Sequence, residues 1–283
     1  MIDLHSHSTV SDGTDPPGAV IAMAVDRALT AIALTDHDTL EHIAPARAAA
    51  AELGIRLVPA TEISCALDGR APGTLHLLVY FLDDPASPLG ARLGALQTAR
   101  QSRNVLIVEA LRDNGVDITL DEVLARGGTG TVGRPHMAQV LMEKGAVGSI
   151  QEAFDVWLAK GRPGYRERER LSTEVAIGLA HESGAVTAVA HPLSLGLDTT
   201  ELDRFLAELA EAGLDGLECE YGRYTPEERG ALSTLAASHG LAPTGGSDYH
   251  GDNKPDLQIG IGQGDLAVPD DLLDNLESRR RVP

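Results

Sequence analysis

Histidines and carboxylates recur in this chain at one kind of place, the end of a short apolar segment. His5-Ser6-His7 closes the first segment, with Asp12 soon after, and Thr35-Asp36-His37-Asp38 closes the second. Glu62 lies just beyond the third, His76 within the fourth, and Ala190-His191-Pro192 ends a later one. Gly246-Ser247-Asp248-Tyr249-His250 follows the last. Six of the ten histidines fall at these positions. In an extended strand, residues i and i+2 project to the same face, so His5 with His7, and Asp248 with His250, can each reach one ion. Neutral imidazole combined with carboxylate suits zinc, manganese or iron, whereas an all-oxygen set would point to magnesium or calcium.

His5, His7, Asp12, His37, Glu62, His76, His191, Asp248 and His250 make nine candidate metal ligands. One catalytic ion takes about three or four protein ligands, so this number implies two or three ions that share carboxylates. Taken singly, His76 reads as a core histidine, and Glu62 or Asp12 as capping or surface residues. Recurrence at strand ends is what carries the metal reading. His42, His181 and His239 fall on helical segments and read as solvent-facing or capping.

Positioning these residues requires a particular set of elements. Apolar segments at residues 2–5, 31–35, 56–59, 75–81, 186–190, 216–219 and 242–244 predict strands. Apolar residues at helical spacing predict helices over 19–28, 41–53, 173–182, 202–212 and 226–239. Such alternation predicts an α/β fold with a parallel sheet, open or closed into a barrel. Loops at the C-terminal strand ends of such a fold converge on one face. Residues 84–170 break the rhythm, with helices expected at 89–114, 120–126, 134–144 and 150–160. Asp83-Asp84-Pro85 and Gly161-Arg162-Pro163-Gly164 bound this stretch with residues that end regular structure. The expected organisation is an α/β portion over residues 1–84 and 165–283, interrupted by a helical insertion over 85–164.

Composition narrows the chemistry. With 283 residues, 43% of them hydrophobic, the chain can bury a core of its own. Two cysteines, Cys65 and Cys219, exclude a disulfide framework and fit a reducing compartment. No apolar run approaches the roughly 18–20 residues of a membrane span. Met1-Ile2-Asp3-Leu4-His5 also lacks the basic and apolar regions of a signal peptide, so a cytoplasmic protein is expected. Forty-two acidic residues against 23 basic ones give a net charge of −19. That field repels a long polyanion and excludes duplex nucleic acid as a partner. A small anionic substrate remains open, because bound cations and a few arginines can reverse the local field.

The motifs quoted above resemble, in type and order, those of PHP domains (polymerase and histidinol phosphatase). The resemblance covers both α/β portions and implies a distorted (β/α)7 TIM-like barrel with a trinuclear metal centre. It implies His5, His7, Glu62 and Asp248 on one ion, Glu62, His76 and His191 on a second, and Asp12, His37 and His250 on a third. The implied cofactor is two or three divalent ions, manganese first, with zinc or iron as alternatives. Glu62, His191 and Asp248 are the expected catalytic residues. Gly133-Arg134-Pro135-His136 and Lys160-Gly161-Arg162-Pro163-Gly164-Tyr165 are similar to the insertion of nucleoside 3′,5′-bisphosphate phosphatases, which convert adenosine 3′,5′-bisphosphate to AMP and phosphate. By that resemblance the insertion forms part of the substrate pocket, and Arg134, His136 and Arg162 bind substrate phosphate. The planar fork of arginine suits this role.

The expected reaction is hydrolysis of a small phosphomonoester by a metal-bridging hydroxide. Histidinol phosphate, a cyclic phosphodiester and a short 5′-phosphorylated oligonucleotide are alternative substrates, and an amidohydrolase acting on a C–N bond is a more distant one. Ser247 and Cys65 are rejected as nucleophiles, since neither has a base partner outside the metal set.

Overall fold

The computed structural model describes residues 1–127 and 132–281. The chain divides into two compact units, Met1–Gly94 with Arg170–Pro283, and Ala95–Glu169.

Strands of the first unit form two sheets. β1 (Ile2–Asp3), β2 (Ala31–Ile32) and β3 (Arg56–Leu57) make a parallel sheet in that order. β4 (Ala60–Ser64), β5 (His76–Tyr80), β6 (Val186–Val189), β7 (Gly216–Tyr221) and β8 (Ala242–Gly246) make a second sheet, also in chain order. β6, β7 and β8 are parallel, but β5 runs antiparallel to both β4 and β6. The sheet is therefore mixed, which corrects the expectation of a wholly parallel one. No helix lies between β4 and β5, so the chain turns straight back, and a direct return gives an antiparallel pair. Reversal sets the start of β5 beside the end of β4, with His76 opposite Ser64 and Leu78 opposite Glu62.

Glu62 is inside a strand rather than beyond one. Val58 N–H makes the last bond of the first ladder, to Ile32 O at 2.8 Å. Pro59 has no N–H to continue it, and the chain then pairs with β5 from Ala60 onward. Backbone bonds also run between the two sheets. Leu4 N–H donates to Gly245 O (3.0 Å), His7 N–H to Tyr249 O (2.9 Å), and Asp38 N–H to Glu62 O (2.9 Å).

The helices of this unit are α1 (Pro17–Asp26), α2 (Ile43–Leu53), the start of α3 (Pro88–Asp113), and, after the second unit, α7 (Thr173–Glu182), α8 (Thr199–Glu211), α9 (Pro226–Ser238) and α10 (Asp271–Glu277). Capping boxes pair Asp198 with Glu201 and Thr225 with Glu228, which starts α8 three residues earlier than its apolar spacing indicates. Period-two alternation in and after β2 divides the core. Ala31 and Ala33 face a cluster with Ile2, Leu4, Ala60, Leu78, Ala188 and Ala242, while Ile32 and Leu34 face α1 and α2 through Val20, Ile21, Ala24, Ala46 and Ala50. Alanines on the strand-facing side let the strand backbones approach closely.

The second unit continues α3 and adds α4 (Leu120–Gly127), α5 (Arg134–Glu143) and α6 (Ile150–Ala153). Its core joins Ile107 and Leu111 to Met137, Val140, Leu141 and Leu158. Instead of one helix over 150–160, α6 gives way to a wider turn over Phe154–Leu158, closed by Ala159 N–H on Phe154 O at 2.9 Å. Among the described residues no helix is long and apolar enough to cross a membrane.

Candidate metal centre

Strand direction explains why the nine residues meet. His5, His37 and Asp248 follow the C-terminal ends of β1, β2 and β8, while His76 sits at the N-terminal end of β5, which the antiparallel run brings to the same rim. Asp248 N–H donates to His5 O (2.8 Å), locking the first and last motifs together. Gly246 permits that approach, because a Cβ there would lie 2.3 Å from His5 N. Strain accumulates at this rim. Asp38, His191 and Asp248 take positive φ values of 54°, 27° and 56°, a conformation that costs on the order of 1–3 kcal/mol for a non-glycine residue.

Glu62 is the hub. Its Oε2 lies 3.3 Å from His5 Nε2, 3.1 Å from His7 Nε2 and 3.3 Å from His37 Nδ1. Its Oε1 lies 2.8 Å from His76 Nδ1 and 3.0 Å from His191 Nε2. Asp248 Oδ1 approaches His5 Nε2 (3.4 Å), His7 Nε2 (3.5 Å) and His250 Nδ1 (3.4 Å). Asp12, half exposed at the mouth, stands 3.3 Å from His250 Nε2 and 3.5 Å from both His7 Nδ1 and His37 Nε2. Four sets have ligand atoms close enough to share an ion: His7, Asp12, His37 and His250; His5, Glu62 and His191; His5, His7 and Asp248; His37, Glu62 and His76. Together they contain all nine residues.

Glu62 is hydrogen-bonded to His5, His76 and His191, but the other contacts around His7 and His37 do not close in the same way. Both ring nitrogens of His7 and Nδ1 of His37 are buried and have no hydrogen-bond partner, although carboxylate oxygens lie 3.1–3.5 Å away. Buried polar atoms are seldom left so. Nitrogens that approach carboxylates without aligning to them fit lone pairs aimed at a shared cation. Several outward-facing nitrogens are satisfied instead: His5 Nδ1 by Glu218 (2.8 Å), His191 Nδ1 by Ser194 Oγ (2.8 Å) and His250 Nδ1 by the Asp248 carbonyl (2.9 Å). One nitrogen held and the other offered is the usual arrangement of ligating histidine.

Charge points the same way. Burial disfavours the carboxylate form of Glu62, yet His37, His5 and His76 hold its pKa well below the usual range. Asp12 and Asp248 are depressed likewise, each against burial, by His250, His37 and His7 for Asp12 and by His5, Lys254 and His250 for Asp248. Burial, with His250 and His37 alongside, drives the His7 pKa well below that of free imidazole. His7 is thus held toward the neutral form that binds metal and the carboxylates toward the ionised one, while, against the burial of His5, the carboxylates of Glu218, Glu62 and Asp248 raise its pKa.

Several supporting residues escape a reading of the sequence. Glu218 and Tyr221 come from β7, and Tyr221 OH and Lys254 Nζ both donate to Asp248 Oδ2, at 2.8 and 2.6 Å. Asp36 accepts from Ser8 N–H (2.9 Å), Ser8 Oγ (2.6 Å) and Ser11 Oγ (2.6 Å), tying down the turn that carries Asp12. His42 is buried rather than solvent-facing, with Nε2 at 3.1 Å from Leu34 O and 2.9 Å from Ala60 O. It packs between the strand ends because it precedes α2 by one residue. Cys65 is buried, and burial pushes its thiol up to about 12.

Arg134, His136 and Arg162 belong to the second unit. Arg134 donates to Leu158 O (3.0 Å), and its guanidinium lies over the rings of Tyr165 (5.5 Å) and Phe154 (5.8 Å). His136 Nδ1 accepts from Gly133 N–H (3.2 Å), and burial lowers its pKa. Arg162 is exposed. Arg103, nearby in this unit, has its pKa lowered to about 10 by burial and by Arg134, Arg168 and Arg100. Positive charge is thus concentrated here in a chain of net −19.

The PHP domain matches residues 3–177. The chain belongs to the PHP domain family. It is 35% identical over 255 residues to the 5′-3′ exoribonuclease Rnm of Escherichia coli, covering 88% of this chain and 85% of that protein. It is 31% identical over 260 residues to a 3′,5′-nucleoside bisphosphate phosphatase of Chromobacterium violaceum, covering 92% and 90%. Its fold matches a predicted metal-dependent phosphoesterase of Bifidobacterium adolescentis with a TM-score of 0.76 at 31% identity, covering 99% and 96%. This PHP chain is a metal-dependent phosphoesterase.

Proposed function

We propose that the chain hydrolyses the ester at the 3′ oxygen of a 5′-phosphorylated nucleotide, with nucleoside 3′,5′-bisphosphate as substrate and nucleoside 5′-phosphate and inorganic phosphate as products. The observation that carries the hydrolytic reading is the convergence of five imidazoles on the two oxygens of Glu62. Similarity to the bisphosphate phosphatase supports the substrate. The nine residues would hold two or three divalent ions, with Glu62 as the shared carboxylate, since each of its oxygens serves a different set of rings. Mixed nitrogen and oxygen ligands suit manganese, zinc or iron. Bound there, such ions supply an activated water and neutralise phosphate oxygens.

The protein's own groups do the rest. Tyr221 and Lys254 occupy Asp248 Oδ2 and leave Oδ1 toward His5 and His7. Arg134 is braced by two rings, which suits a fork that must meet a phosphate in one orientation. The two sheets read as one distorted barrel, β8 against β1 and the segment after β2 against β4, and the backbone bonds at both edges support that reading.

A second reading is favoured by the 35% identity to an exoribonuclease: a short 5′-phosphorylated oligonucleotide, whose first nucleotide is joined through the same 3′ oxygen. A net charge of −19 disfavours a long strand but not a short one. The test is product release with manganese from adenosine 3′,5′-bisphosphate, AMP, histidinol phosphate, a ribose cyclic phosphate and a 5′-phosphorylated trinucleotide. Preference for the bisphosphate with AMP as product is expected. Preference for the trinucleotide moves the assignment to the second reading, and turnover of histidinol phosphate or the cyclic ester alone overturns both.

A further inference from the structure

Glu218 lies on β7, is fully buried, and is not among the nine ligand-type residues, yet both its oxygens are committed to two of them. Oε1 is 2.8 Å from His5 Nδ1, and Oε2 accepts the backbone N–H of His191 at 2.6 Å. A carboxylate oxygen only accepts, and both ring nitrogens of His5 face carboxylates, but Glu218 is nearer Nδ1 by half an ångström than any oxygen is to Nε2, so Nδ1 is the nitrogen that keeps its proton when the other ligates. His5 is then left with Nε2 toward Glu62 Oε2 (3.3 Å) and Asp248 Oδ1 (3.4 Å). His191 takes the strained φ of 27°, and the bond from its N–H holds the turn that sends Nε2 to Glu62 Oε1 at 3.0 Å.

We infer that Glu218 is a positioning residue that fixes the His5 proton on Nδ1 and pins the His191 turn, so that both rings offer Nε2 to the Glu62 cluster. This rests on the metal reading proposed above. The site presents two donors, a ring N–H and a backbone N–H, on opposite sides of one side chain. Glutamate meets both; the isosteric amide has one acceptor oxygen and must forfeit one of them. A purely structural glutamate would tolerate that change without altering ligand geometry.

The experiment compares wild type with Glu218→Gln, and with Glu220→Gln as control. Glu220 shares the strand, but a bulge separates it from Glu218, and it sits 3.9 Å from Arg229. Zinc affinity and stoichiometry are measured by titration, and 15N-histidine spectra of the zinc-loaded chain report which ring nitrogen bears the proton. The expected result is a His5 Nδ1 proton in wild type, its loss or shift in Glu218→Gln, and zinc affinity weaker by about 10–100-fold in that variant, with Glu220→Gln unchanged. Equal zinc affinity in wild type and Glu218→Gln overturns the inference. So does a wild-type spectrum with the His5 proton on Nε2, which decides the matter even where the variant does not fold. A wild-type chain that takes up no zinc or manganese overturns the metal reading itself, and this inference with it.

Discussion

Glu62 has five imidazoles within 3.3 Å, whereas Arg134 in the helical unit has one backbone carbonyl and two ring faces. Around Glu62 each ring is set by a strand end, and His5 and His191 are held by a second bond as well, to Glu218 and Ser194. Around Arg134 the constraints are fewer, and the Arg162 side chain is exposed. Ion-holding geometry requires the first arrangement, because ligand distances tolerate only tenths of an ångström. The phosphate contact proposed for Arg134 requires only that one charged fork be held in orientation, which the second arrangement provides. The two regions therefore should fail differently when altered.

Glu62→Gln tests the first region. Phosphate release is expected to fall by at least about 100-fold, and elemental analysis should show fewer ions per chain, since a neutral amide bridges cations poorly. Near-normal turnover with full metal content would remove Glu62 from its central place. Arg134→Ala tests the second region and the separation itself. KM for the phosphorylated substrate is expected to rise about 10-fold, the cost of a lost charge-assisted bond, with metal content unchanged. Loss of metal in that variant would mean that the two regions are not independent.

Much of the first region is legible in the sequence, for a geometric reason. Strand ends place side chains by a period of two, so His5-Ser6-His7 and Asp248-Tyr249-His250 announce themselves. Glu218 does not, because the alternation Gly216-Leu217-Glu218-Cys219-Glu220 treats it and Glu220 as equals. The bulge between them sends one to the cluster and leaves the other half-buried beside Arg229. The reversed β5 was equally hidden: composition distinguishes strands from helices better than it distinguishes their directions. Helix starts at α8 and α9 depend on side-chain caps at Asp198 and Thr225, which lie outside the apolar pattern.

Thiol chemistry offers a readout confined to one region, since both cysteines lie in the first unit. Burial pushes Cys65 and Cys219 up to about 12 from the ordinary 9.0. The unfolded chain therefore loses those protons first as pH rises, and stability they contribute below pH 9 is lost progressively between 9 and 12. A melting temperature that falls over that window, in step with thiol labelling, is the expected result. Labelling of native protein at neutral pH would show the first unit to be looser than its burial indicates. The smallest effect belongs to Arg162→Ala, where exposure limits the change in KM to about two-fold. A change matching that of Arg134→Ala would place Arg162 on the substrate as firmly.

The pairing of β4 with β5, Glu62 opposite Leu78 and Ser64 opposite His76, carries a consequence for assembly. Slipping one residue would turn Glu62 or His76 to the opposite face. Slipping two would keep the face but displace the side chain by about 6.8 Å, twice its present distance from most of the rings. No mispaired version of this hairpin can present the hub correctly, so ion uptake at the proposed centre would double as proofreading: a chain threaded wrongly would stay empty and lack the stabilisation that binding supplies, which would leave it to proteases.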